Sequence, residues 1–133
     1  MPLGILQTSL YPEDAGKSFQ LAAQLGADGI QLVCPSQEQV ASLTSDEGAS
    51  KVAAWKKKHS LQVPGITLTA LSEVPSLFSD PAAAAGAADL IHEAMAAAKN
   101  IGAPVLVLPC LGKASIASEE QLDKLIEALH ELA

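Results

Sequence analysis

Aromatic side chains are scarce in this chain. One Trp, one Tyr and two Phe make up 3% of 133 residues, against 49% hydrophobic residues in all. The core therefore has to be assembled from Ala, Leu, Ile and Val, a composition that suits helices laid closely on a sheet. Basic residues are few as well. Eight Lys and Arg stand against fifteen Asp and Glu, giving a net charge of −7 and a pI near 4.7. Nucleic acid and anionic membrane surfaces both need basic patches, so neither is expected as a partner. Long apolar runs are missing: none reaches the ~18 residues of a membrane span. The opening MPLGILQTSL has no basic region before a long apolar segment, so no signal peptide is expected. Two cysteines make no disulfide framework and fit a reducing compartment. The expectation is one soluble, acidic α/β domain in the cytoplasm, spanning residues 1–133, long enough for its own core.

What is present is a repeat. Residues 21–34 read LAAQLGADGIQLVC and residues 97–110 read AAKNIGAPVLVLPC. A shift of 76 residues lays Gly26 on Gly102, Ala27 on Ala103, Leu32 on Leu108 and Cys34 on Cys110. Each copy reads as a helix end, a glycine stop and an apolar run too short for another helix. Buried parallel strands between helices look like this.

The remaining chain fills in around these copies. Residues 3–10 form a first strand candidate closed by Tyr11-Pro12, because proline cannot continue a ladder. Glu13 and Asp14 suit a helix N-terminus, and Ala15, Phe19, Ala22 and Ala23 give helical spacing up to Gly26. Gly29–Val33 is strand two. The polar stretch 36–50 (SQEQVASLTSDEGAS) reads as a mobile connector. A helix at about 50–59 follows, its last turn carrying Lys56, Lys57 and Lys58. Residues 65–70 make strand three. Asp80-Pro81 caps a long alanine-rich helix that runs to about Ile101, and residues 105–108 make strand four. Ser118-Glu119-Glu120-Gln121 is a capping box, with Leu122, Leu125, Ile126 and Leu129 as the apolar stripe of a last helix. The order is β-α-β-α-β-α-β-α.

Alternation assigns the faces. A glutamine under a helix layer would lose its hydrogen bonds to water at a cost of roughly 1–3 kcal/mol, so Gln31 belongs on the face away from the helices. That places Ile30, Leu32, Ile66, Leu68, Leu106 and Leu108 under the helices. Gln7, Ser9, Gln31, Thr67 and Thr69 fall on the opposite face, together with Val33, Val105 and Val107. Helices on one face only make a barrel segment, its other face the lumen. A doubly wound sheet would need two apolar strand faces.

Chemistry-bearing residues do not gather. Cys34 and Cys110, on strands two apart, are separated by about 9.6 Å, which is two inter-strand spacings and too far for a disulfide. Both read as buried small hydrophobes. His59, His92 and His130 all fall on outer helices, away from strand ends. Lys113, in Leu111-Gly112-Lys113-Ala114-Ser115 after strand four, is an anion-binding candidate with help from backbone N–H groups.

GADGIQL after a helix ending LAAQLG resembles the second strand of the sugar phosphate isomerase/epimerase group, the xylose-isomerase-like TIM barrels. KKKHSLQVPGITL, AMAAAKNIGAPVLVLPCLG and SEEQLDKLIEALHELA resemble the approach to that group's third strand, its fourth strand and its fourth helix. The resemblance covers the N-terminal half of such a barrel and implies a (βα)4 half-barrel. The group's divalent metal and acid/base residues come mostly from strands five to eight. Gln31 stands where a Glu is common. The resemblance thus implies a half-barrel scaffold with no complete active site and no cofactor of its own, a divalent metal entering only with ligands from a second half. Metal-dependent sugar isomerase or epimerase activity, when paired with a second half, is one alternative. A sugar or sugar phosphate binding module is the other. The two open edges invite a partner, either a second copy forming a homodimer or a separate second half-barrel.

Overall fold

The computed structural model describes residues 1–10 and 14–132. Tyr11, Pro12 and Glu13, which the sequence assigns to the end of strand one and the approach to the first helix, lie outside them. Four parallel strands, β1 (Gly4–Leu6), β2 (Gly29–Val33), β3 (Gly65–Thr67) and β4 (Val105–Val107), pair in the order β1-β2-β3-β4. Each strand pairs with its sequence neighbour, so every crossover steps the same way and lays its helix on the same face. A doubly wound sheet would reverse direction partway. The molecule is a half-size TIM-barrel-like α/β fold.

The helices are α1 (Ala15–Gln24), α2 (Gln37–Thr44), α3 (Asp46–His59), α4 (Pro81–Ile101) and α5 (Glu119–Leu132). Under them Ile30, Ile66 and Leu68 are fully buried and Leu32 nearly so, packed with Phe19, Ala22, Val52, Ile91, Ala94 and Ala97. The alanines of α4 bring that helix close to the sheet, as the shortage of aromatics requires.

The repeated stretch is a repeated closure. Gly26 and Gly102 both sit at positive φ, +76° and +70°. Gly26 N donates to Ala23 O and Ala27 N to Ala22 O; Gly102 N donates to Lys99 O and Ala103 N to Ala98 O. These are two Schellman motifs, each ending a helix and aiming the chain into a strand. Asp80 accepts from Ala83 N at 3.1 Å with Pro81 at the first helical position. Ser118 Oγ accepts from Gln121 N, and Gln121 Oε1 accepts from Ala117 N at 2.7 Å, so the box closes one residue earlier than its usual form.

Four expectations need correction. Residues 36–50 are not a loop but α2 and the first turns of α3. Ser36 caps α2 by accepting from Gln39 N, and Ser45 caps α3 by accepting from Gly48 N. The helix expected at 50–59 accordingly begins at Asp46. The first strand stops at Leu6, where a 3-10 turn, Gln7–Ser9, takes over and Leu10 N donates to Gln7 O. The third and fourth strands end at Thr67 and Val107, with Thr69–Glu73 in a second 3-10 turn.

Two outer hydrogen bonds tie units distant in sequence. Lys56 Nζ donates to Ile101 O at 3.2 Å, at the end of α4, and Asn100 Nδ2 donates to Leu43 O at 3.1 Å, at the end of α2. Each satisfies a carbonyl that the last helical turn leaves without a partner.

Candidate functional site

The concave face is built by register. Val33, Thr67 and Val107 lie abreast on β2, β3 and β4, and Leu6 lies beside Gln31 on β1 and β2. Gln31 and Thr67 therefore point to the same side, where Gln31 Nε2 donates to Thr67 Oγ1 at 2.5 Å. Both are half-buried. This pair is the polar strip that alternation anticipates, flanked by the exposed Leu6, Val105 and Val107.

The early end of β1 moves its candidates. Gln7 is not on the concave face by strand alternation; Leu6 holds that position. Gln7 is buried instead, and its Oε1 accepts from Val33 N at 3.0 Å, taking over the ladder bond that a longer β1 would have made. Ser9 is exposed in the 3-10 turn. Thr69, beyond the end of β3, donates from Oγ1 to Cys34 O at 3.3 Å. Lys113 Nζ donates to Glu73 O at 2.9 Å, linking the segments after β3 and β4.

The cysteines diverge despite their equivalent places in the repeat. Cys34 is buried, and loss of solvation pushes its thiol up to about 11. Cys110 is exposed, contrary to the expectation of two buried thiols: β4 ends at Val107, three residues before it, whereas β2 runs to Val33, directly before Cys34. Both are free thiols. His59, His92 and His130 lie on α3, α4 and α5.

A divalent metal of the kind the resemblance implies for whole barrels does not fit these residues. Among the described residues no three His, Cys, Asp or Glu side chains converge. At the strand-two position a carboxamide already engaged with Thr67 stands where a carboxylate ligand would be needed. The strip can exchange hydrogen bonds with hydroxyl groups: Thr67 donates and accepts, and the Gln31 amide does both.

A feature the alternation reading missed is a cavity of about 150 Å³ at the C-terminal end of β2, on the helix side. It lies between the end of β2 and helices α2 and α3; residues 36–50, which form α2 and the start of α3, are the part read from sequence as a connector. The signal was available in two serines, Ser36 and Ser45, each followed three residues later by the residue whose N–H it caps.

Comparison with known proteins places this geometry. A family model for xylose isomerase-like TIM barrels matches residues 19–133. No curated protein matches the chain significantly. Among solved structures, D-allulose 3-epimerase from Methylomonas sp. is similar over 99% of this chain, with TM-score 0.70 and 17% identity. The same epimerase with D-allulose bound gives TM-score 0.69, also at 17% identity. In both cases the chain spans 46% of the length of the protein it matches.

Proposed function

The chain belongs to the xylose isomerase-like TIM barrel family, and from that premise we propose that it is a half-barrel scaffold whose polar lumen strip is completed by a second copy of itself. The observation that carries the reading is the concave face. Gln31 and Thr67 form a hydrogen-bonded strip across an open sheet, while Leu6, Val105 and Val107 stay exposed at its two edges. Apolar residues on open strand edges favour pairing with another chain. A two-fold axis lets β4 of each copy pair with β1 of the other, closing eight strands and removing both edges. The outer side supports the same arrangement. Leu3, at the edge of β1, and Leu122 and Ile126 of α5 are exposed, and a partner's β1 beside β4 would slide its Leu3 side beneath α5.

On this reading the lumen presents two Gln31–Thr67 strips to a sugar or sugar phosphate. Each chain alone has no complete catalytic site. Isomerase or epimerase chemistry requires carboxylate or histidine groups that these residues do not bring together, so it would enter only with a second half that supplies them.

The test is absolute mass by light scattering over a dilution series. The expected result is a mass near twice 13.6 kDa that persists on dilution and reverts to the monomer in Val107→Lys, which places a charge on the paired edge. A well-folded wild-type monomer at all concentrations would overturn the proposal.

A further inference from the structure

Away from the concave face, we propose that the cavity between β2 and the α2–α3 pair is a binding site for a small aromatic or short-chain monocarboxylate. At about 150 Å³ this half-open cleft has room for a molecule the size of benzene. Its inner wall is mostly apolar: Leu32, Val33, Cys34, Leu43 and Val52, with the Trp55 ring at one side and the buried Gln7 as the polar exception. Its mouth is polar, with Gln39, Ser42 and Lys51 all exposed. Of the described residues lining it, Lys51 alone carries a charge, in a chain whose net charge is −7. An apolar floor under a single cation at the rim selects an apolar body with one anionic end.

The architecture gives the cavity rigid walls. Ser45 ends α2 and caps α3 at once, and Gly48 sits so close to Ser42 O that a Cβ there would meet it at 1.9 Å. The two helices are thereby fixed as a bracket over the end of β2. Lys51 also pairs with Glu47 at 2.6 Å on the exposed face of α3. A ligand carboxylate would share the ammonium with Glu47, and that exposed pair is weak enough to yield. The inference is independent of barrel closure, since of the strand residues lining the cavity only Val33 belongs to the concave face.

Trp55 is the only tryptophan in the sequence, so intrinsic fluorescence reports on this cavity. The experiment titrates the full chain with benzoate, benzyl alcohol and benzylamine, with N-acetyltryptophanamide as the reference for collisional quenching. Benzoate is expected to give a saturable change, benzyl alcohol a weaker one and benzylamine none over the same range. Lys51→Met should weaken benzoate about three- to fivefold, to the level of benzyl alcohol. Cys34→Leu, which fills the floor, should abolish the benzoate and benzyl alcohol responses. Leu43→Phe narrows the cavity from the opposite wall and should do the same if Cys34→Leu does not fold. Bound benzoate should also slow alkylation of Cys34 while leaving the exposed Cys110 unaffected. Linear quenching equal to the reference compound, benzylamine binding as tightly as benzoate, or saturable binding that survives in a folded filled variant would each overturn the proposal.

Discussion

Single residues carry two sharp expectations. Gly86 and Gly102 belong to α4 and its closure, and both have room for a methyl group. Gly86 is an exposed helix-interior position, so Gly86→Ala should stabilise by about 0.5–1 kcal/mol through the less flexible unfolded chain. Gly102 sits at φ +70°, where a Cβ is strained, so Gly102→Ala should destabilise by about 1 kcal/mol. Urea denaturation should show the same substitution moving the midpoint in opposite directions. The second expectation concerns Cys34, whose thiol is held up at about 11 from 9.0 by burial. A raised pKa means that the folded state keeps its proton where the unfolded state releases it. The contribution is fully present below pH 9 and is lost as pH rises toward 11. Cys34→Ala should flatten the fall in stability over that window by an amount on the order of 2 kcal/mol. Parallel slopes for the two proteins would sink the idea.

Among the elements, α5 stands apart. It contains no buried residue, and Leu122 and Ile126 are 43% and 44% exposed. Leu125 and Leu129 cover a small apolar hollow of about 70 Å³ over Leu71, Phe78 and Leu108. Half of its apolar stripe therefore has nothing to cover. Leu122→Ala and Ile126→Ala should leave the stability of the isolated fold within about 0.5 kcal/mol, yet weaken self-association in the light-scattering series. A large loss of stability with unchanged mass would show that α5 serves its own chain only. The elements also show where the sequence could be read and where it could not. Helix ends were readable because glycine, proline and serine act locally: Gly26, Gly102, Asp80-Pro81 and Ser118 all function as their types suggest. The inner faces of β2 and β3 were readable because Gln31 and Thr67 break an apolar pattern. Strand lengths were not, since Leu6 hands over to a 3-10 turn through the bond from Val33 N to Gln7, a contact 26 residues distant in sequence. Nor was the exposure of Cys110, which depends on the path of the chain after β4 rather than on its neighbours. The α2 helix was obscured by its polarity, because only Val40 of its eight residues is buried.

At the scale of the whole molecule, the strand order has a consequence for how the fold comes apart. Each strand hydrogen-bonds only to the next one in sequence, so cohesion within the sheet passes between neighbours, much as it does along a solenoid of repeats. Such a chain behaves as a short one-dimensional lattice, in which a unit inside is held from two sides and a unit at an end from one. The β3–α4 unit is inside, and β4–α5 is at an end. Helices α2 and α3 of the preceding unit add rungs to α4, through Asn100 and Lys56, and these fasten α4 to the interior block rather than to its successor. Of the two ends, α1 buries Phe19 and Ala22 while α5 buries nothing, so unzipping starts at β4–α5 and halts at α4. A partner seated against β4 would work as a clamp on the weakest link, raising the stability of both copies by closing the lattice into a ring.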